Sequence, residues 1–393
     1  MAIIVIDRNA EIRPLAYGVY FWTVVTLALI GLADSAYLSI SHYRIYNDIG
    51  YESFCAISRA INCDTVSQSP YAIFMRMPVP VWGVIGYFFL LLILLFSGRA
   101  SAQKKGVWGV MFLVTLVYSI YSIILAIISH VYIDSYCIMC ILVYAINFLL
   151  LYYCWLIRRR FAHEPLHSSI GQDLRYIWIW RKTAQFVFIP FLGGVLLLWS
   201  LFPSYWNLRP AVLSVAQPGG LTSDGHPWIG AENGKVVITE FTDYLCFQCS
   251  KMNYYLRKMV ARYPGKIKVI HRHFPMDHTV NPIVKSPIHK GAGALAILSI
   301  YAATEGKFWQ TNDYLFANAR FTDLVDLQVL ADEIGLDFKK LSRSLLRNDF
   351  SNKLHRDIMD GLKLGVSGTP TFLIDGKLYS GRIPPEILLQ VAD

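Results

Sequence analysis

Charge is scarce in this sequence. Asp, Glu, Lys and Arg make up 16% of its 393 residues, against about 25% in ordinary soluble domains. Hydrophobic residues reach 55% and mean hydropathy is +0.41, which excludes a disordered or purely soluble chain and requires that much of it lie in lipid. The scarcity is uneven, since only 23 charged side chains fall in residues 1–203 and 40 lie beyond. A membrane half followed by a water-soluble half is implied. Cysteine is also sparse, seven in all, which rules out a disulfide-dense miniprotein. No period of 20–50 residues is present, so a solenoid is excluded. Net charge is +9, but 14 of the 36 basic residues sit in the apolar half, mostly beside hydrophobic runs. That is a pattern of membrane orientation rather than of nucleic-acid binding.

Five apolar runs are candidates to cross a bilayer: about Tyr17–Ile40, Val81–Phe96, Val107–Val131, Cys137–Ile157 and Ala184–Phe202. The second is short unless its Pro78–Pro80 lead-in is buried. The first is too long for a signal-peptide core and lacks a small-residue cleavage site, so it reads as a retained anchor. Arg8 and Arg13, then Arg99, Lys104 and Lys105, then Arg158, Arg159, Arg160, Arg175, Arg181 and Lys182 fall on one side of these runs. Lys and Arg are enriched on the cytoplasmic side, which places the N-terminus there and the C-terminal half outside. Six cysteines then lie on or near the outer face, where disulfides persist.

Pro203–Trp228, with Pro210, Pro218, Gly219, Gly220, Gly225 and Pro227, reads as an exposed linker. Beyond it, strands are expected at Lys235–Phe241, Lys266–Phe274, Thr371–Ile374 and Leu378–Ser380. A helix is expected over Ser250–Arg262, several more within 287–364 (Leu324, Leu327, Leu330, Ala331 and Ile334 give the apolar spacing), and a last one from Pro384. The expected architecture is an all-α membrane four-helix bundle over 1–160. A cytoplasmic loop, a fifth linking transmembrane helix and the linker occupy 161–227. An α/β domain with a helical insertion occupies 228–393.

Two of the cysteine intervals are C-x-x-C, where scattered placement would give about 0.1. Cys246-Phe247-Gln248-Cys249 sits between a strand and a helix. Unpaired N–H groups and the partial positive charge of a helix N-terminus favour the thiolate of the first cysteine. Cys246 is therefore expected to be exposed and attacking, and Cys249 resolving. A zinc half-site is the competing reading, although no second Cys or His pair completes four ligands in that half.

With Gly368-Thr369-Pro370 before the closing hairpin, residues 228–393 resemble a thioredoxin-fold domain of the DsbA-like kind. The resemblance implies a cis Pro370 beside Cys246, backbone hydrogen bonds to substrate from Thr369, and a buried Glu240 that accepts the Cys249 proton. From the residues alone, a solvated strand position is the other reading of Glu240. Phe247-Gln248 replaces the Pro-His of strongly oxidising relatives, so the reduction potential stays open across roughly −270 to −120 mV.

The second pair is Cys137-Ile138-Met139-Cys140 at the outer end of the fourth run, continuing into ILVYAIN. Dithiols at a lipid–water boundary can exchange with protein thiols and pass two electrons to a lipid-soluble acceptor; a structural pair of packed cysteines is the alternative. Cys55 and Cys63 suit a mobile loop that relays a disulfide. These pairs, Ser69 in CDTVSQS, PVPVWGVIGY at 78–87 and GLADSAYLS in the first run together resemble the vitamin K epoxide reductase family over about residues 15–157.

That resemblance implies Cys55 and Cys63 as the shuttle pair, Cys137 and Cys140 as the quinone-facing pair, Tyr144 as a hydrogen-bond donor to the quinone, and Ser69 as a polar residue near it. No Asn stands at the start of the second run, where vertebrate members contact the epoxide, so quinone reduction is favoured. Tyr144 lies four residues after Cys140, on the same helical face; an interfacial-belt tyrosine is its other reading. The expected activity is a quinone-dependent thiol–disulfide oxidoreductase of the bacterial inner membrane. Its acceptor is ubiquinone or menaquinone, its substrates are reduced extracytoplasmic proteins, and no metal or nucleic acid takes part. Its rivals are an outward reductant conduit, a non-catalytic polypeptide-binding membrane protein and, weakest, a transporter. Asp34 is an intramembrane carboxyl of open role, Cys154 reads as a packed thiol, and His271 with His273 as a packed or solvated pair.

Overall fold

A computed structural model describes residues 15–48, 51–57, 60–97, 107–133, 135–162, 166–208, 217–319, 325–347, 350–384 and 386–387. Arg8, Arg13, Arg99, Lys104, Lys105, Pro210 and Leu324 lie outside them. The chain divides into two units, one within residues 1–45 and 52–204, the other within 46–51 and 205–393.

The first unit is helical, with α1 (Tyr17–Asn47), α2 (Cys63–Ser67), α3 (Val79–Leu94), α4 (Trp108–Ile128), α5 (Ile138–Ile157), α6 (Leu166–Ile179) and α7 (Arg181–Leu201). The helices based on α1, α4, α5 and α7 are long and apolar enough to cross a membrane. The sixteen residues of α3 rise about 24 Å, short of a hydrocarbon core of about 30 Å, and its lead-in residues Met77 and Pro78 are buried. A small hairpin, β1 (Ile73–Phe74) with β2 (Met77–Pro78), precedes it.

The core of this unit joins Tyr20 and Val24 of α1, Leu90 of α3, Met111 of α4 and Leu150 of α5. Cys154 is fully buried in the same cluster, as its packed reading expects. Helices α1 and α3 approach closely at two glycines. A Cβ on Gly31 would fall 2.3 Å from the Tyr87 ring, and one on Gly83 would fall 2.6 Å from Ser35 Oγ. Helix α6 was unforeseen. Its Asp173 accepts from the Gly109 and Val110 N–H groups at 2.7 and 3.0 Å, satisfying orphan donors at the start of α4.

The second unit holds a six-stranded sheet in the order β3-β4-β6-β5-β7-β8. Its strands are β3 (Gly219–Leu221), β4 (Pro227–Gly230), β5 (Val236–Thr242), β6 (Ile267–His273), β7 (Thr371–Ile374) and β8 (Lys377–Ser380). Only β5 and β6 run parallel, joined by α8 (Phe247–Arg262). A helical block, α9 (Ala292–Thr304), α10 (Phe308–Asn318), α11 (Leu327–Ile334), α12 (Phe338–Arg347) and α13 (Ser351–Leu364), separates β6 from the closing hairpin. The four expected strands are present. The stretch read as linker is not all tether, because β3 and part of β4 pair into the sheet and Trp228 is buried. The helix expected from Pro384 lies mostly outside the described residues.

Candidate functional site

In the second unit the parallel pair carries the chain from β5 through a tight turn into α8. Cys246 occupies the N-cap of that helix, and its Sγ accepts from the Cys249 N–H at 3.3 Å. The Cys246 thiol also reaches the Thr369 carbonyl at 3.5 Å, and the Thr369–Pro370 peptide is cis. The turn, the cis loop and Gln248, whose Nε2 donates to the Gly381 carbonyl at 3.5 Å, therefore meet at one place. Cys246 was expected to be exposed, but it retains only 8% exposure. Side chains of the helical block, Leu298 and Phe316 among them, share its apolar cluster.

The two thiols are electrostatically unlike. Cys246 is held down at about 7, first by the hydrogen bond from the Cys249 thiol and then by the His289 imidazole, against the opposing cost of burial. Cys249 is pushed well above the ordinary thiol range by burial, then by the adjacent Cys246 and by Asp243. An activated thiol beside an unreactive one can attack an external disulfide and then resolve the mixed product.

Glu240 is 1% exposed, not a solvated strand residue. One of its oxygens takes a hydrogen bond from His271 Nδ1 at 2.9 Å, and the other is buried without a partner. His271 in turn lies 3.2 Å from His273 Nδ1, so the histidines form a buried packed pair. A second carboxylate, Asp243, also bears electrostatically on both cysteines; sequence reasoning missed it. Its oxygens accept from the N–H groups of Leu245 and Met276 at 2.7 and 2.6 Å and from His289 Nδ1 at 2.8 Å. Its spacing three residues before Cys246 is a usable signal; His289, 43 positions further along the chain, offers none.

In the first unit, Cys55 and Cys63 form a disulfide, and Cys137 and Cys140 are free thiols. All four share one small apolar cluster with Leu38, Val66 and Val143. Backbone pairing holds the loop in place: Asn62 N–H donates to the Tyr136 carbonyl at 2.9 Å and Tyr136 N–H to the Ala60 carbonyl at 2.8 Å. Asn62 also caps α2 through Oδ1, so Cys63 starts one helix and Cys137 caps another. The Cys140 N–H donates to Cys137 Sγ at 3.1 Å, the same local geometry as at Cys246.

Beside this cluster lies a cavity of about 580 Å³ whose lining includes Cys140, Tyr144, Ser69, Tyr87 and Asn147. Tyr87 OH donates to Asn147 Oδ1 at 2.7 Å, and Asn147 Nδ2 to Ser122 Oγ at 2.9 Å. Asn147 follows Tyr144 by three residues, a helical-face signal that sequence reasoning passed over. An apolar cavity of this size with a few polar groups suits a small, largely hydrophobic ligand. Among the described residues no group of three or more His, Cys, Asp or Glu could hold a metal ion.

Residues 22–155 match the vitamin K epoxide reductase family. Residues 222–393 match thioredoxin. The vitamin K epoxide reductase-like region thus contains the Cys55–Cys63 and Cys137/Cys140 pairs, and the thioredoxin-like region contains Cys246 and Cys249. Solved structures similar to the chain include a thioredoxin-like oxidoreductase from Silicibacter pomeroyi (21% identity, 44% of this chain and 92% of that one, TM-score 0.35). BdbD from Bacillus subtilis is another (21% identity, 45% and 97%, TM-score 0.37). Curated relatives include the Na(+)/H(+) antiporter NhaA 3 of Salinispora tropica, 24% identical over 212 residues, which are 51% of this chain and 31% of that protein. The antiporter NhaA of Herminiimonas arsenicoxydans is 23% identical over 204 residues, with the same coverage. The chain spans about a third of the length of these curated relatives.

Proposed function

We propose that the protein is a quinone-linked thiol–disulfide oxidoreductase that introduces disulfides into proteins outside the cytoplasm. The observation that carries this reading is the gathering of four cysteines in one apolar cluster, with Cys140 of that cluster lining an apolar cavity beside Tyr144. The thioredoxin-like unit supplies the entry point. A reduced client attacks the Cys246–Cys249 disulfide at Cys246 and leaves oxidised. The freed Cys246, held at about 7 and so about half ionised near neutrality, attacks the Cys55–Cys63 disulfide at Cys55. Cys63 then attacks Cys137 of a Cys137–Cys140 disulfide, and Cys140 faces the acceptor. A bound quinone would accept two electrons and two protons in the cavity. Tyr144 would hold one of its oxygens, and Ser69 would line its entrance.

The proposed domain division is a catalytic membrane domain over 1–160, a connecting segment from 161 and a thioredoxin-like domain to 393 that starts at β3 (Gly219–Leu221), earlier than the expected 228. The basic connections support an N-terminus in the cytoplasm and a C-terminal domain outside a bacterial inner membrane. Thr369 and Pro370 would bind the client chain beside Cys246, and Glu240 would accept the proton of Cys249.

Two experiments on the full chain test the reading. In Cys63→Ser an adduct between Cys246 and Cys55 accumulates and is seen by mass spectrometry under non-reducing conditions; its absence contradicts the order of exchange. Tyr144→Phe raises the quinone KM about tenfold, the cost of one hydrogen bond of about 1.4 kcal/mol, and leaves client exchange at Cys246 unchanged. An unaltered KM contradicts the placement of the quinone.

A further inference from the structure

The relay leaves one buried acid without a task. Asp34 lies in α1, 6% exposed, and both of its carboxyl oxygens are buried with no hydrogen-bond partner among the described residues. An ionised carboxylate without a partner is costly in such surroundings. Its position is not random. Leu38, four residues on and therefore on the same face, packs into the cluster of Cys55, Cys63 and Cys137. The adjacent Ser35 lines the cavity that Cys140 also lines. Close packing at Gly31 and Gly83 fixes α1 against α3 on either side of Asp34. Asp34 lies close enough to act electrostatically on Cys140 of α5 and Tyr87 of α3; His42 lies two turns further along its own helix and lines the cavity.

We propose that Asp34 is the proton-transfer residue for Cys140, giving a proton to its sulfur when the Cys137–Cys140 bond opens and reclaiming it when the bond closes. The inference rests on the reading of Cys137 and Cys140 as a redox pair. When a thiolate attacks Cys137, a new S–S bond forms at Cys137, the old one breaks, and its electron pair leaves on Cys140. A thiolate released among apolar side chains is unfavourable, and a carboxylic acid is intrinsically stronger than a thiol. The proton therefore moves from Asp34 to Cys140, leaving the carboxylate. That carboxylate is the base that takes the proton back when Cys140 gives up its electrons. Over a full cycle two electrons and two protons pass from a client dithiol to the quinone, and Asp34 ends as it began.

The first half of the cycle needs no quinone and can be tested without one. Purified full-length protein with both membrane pairs oxidised is mixed with dithiothreitol, quenched with an alkylating agent over time, and the label at each cysteine is read by mass spectrometry from pH 5 to 9. Asp34→Asn is expected to slow labelling of Cys140 about a hundredfold, the low end of general acid–base effects, and to change its pH profile. Labelling of Cys55 and Cys63 is expected to keep the wild-type rate, which serves as an internal control for folding. Asp34→Glu is expected to restore most of the rate. Equal Cys140 rates and pH profiles in wild type and Asp34→Asn overturn the proposal, as does slowing at all four cysteines that Asp34→Glu fails to rescue. In a parallel assay with a short-chain ubiquinone, a wild type that reduces no quinone contradicts the proposed acceptor. The dithiothreitol comparison still decides the role of Asp34.

Discussion

Cys246 and Cys249 differ by three positions and by opposite electrostatics, and this contrast is measurable. Iodoacetamide labelling of the reduced protein is expected to show Cys246 titrating near 7 while Cys249 stays unlabelled until well above the ordinary thiol range. His289→Ala removes a positive neighbour and is expected to move the Cys246 midpoint upward; an unmoved midpoint contradicts the assignment. The sign for stability follows. A thiol held below its unfolded value stabilises the reduced form fully above that value, and this contribution is lost as pH falls through about 7. The cysteine pairs were legible in the sequence because C-x-x-C spacing at a strand–helix junction or a helix start has local meaning. Asp243 was legible only in principle, and His289 reaches it across a fold that no local spacing encodes.

Among the elements, apolar periodicity and strand runs placed α1, α4, α5, α7, α8 and the central strands, since each is long or strongly patterned. The misses are of another physical kind. Strand β3 is Gly-Gly-Leu, and a Cβ on Gly219 would fall 2.9 Å from the Trp228 carbonyl. The glycine that permits this pairing is the same residue that reads as linker in sequence. Helix α6 is short and amphipathic, and its purpose lies in a tertiary contact, the Asp173 carboxylate at the start of α4. Asp173→Ala leaves two N–H groups without that acceptor and is expected to lower stability by about 1–2 kcal/mol. A fall in the thermal midpoint of the purified protein would show it. An unchanged midpoint would mean that water replaces the cap.

In the proposed relay, fusing an entry domain to a membrane catalyst replaces a diffusional encounter with an effective concentration that reaches about the millimolar range. If the fusion serves that purpose, the thioredoxin-like domain supplied as a separate protein at micromolar concentration should restore turnover to a Cys246→Ser chain only weakly. The two-part organisation was legible from the charge distribution alone, 23 charged side chains against 40. The gathering of Cys55, Cys63 and Cys137 was not, because it depends on pairing between the loop and Tyr136. The decisive measurement is quinone reduction by the full chain in detergent, supplied with a reduced, unfolded thiol protein, with wild type compared to Cys140→Ala. Quinol formation matched by client disulfides in wild type, and abolished in Cys140→Ala, is the predicted result. Electron delivery in the opposite direction, from a reductant to the client, or quinol formation that survives Cys140→Ala, would contradict it.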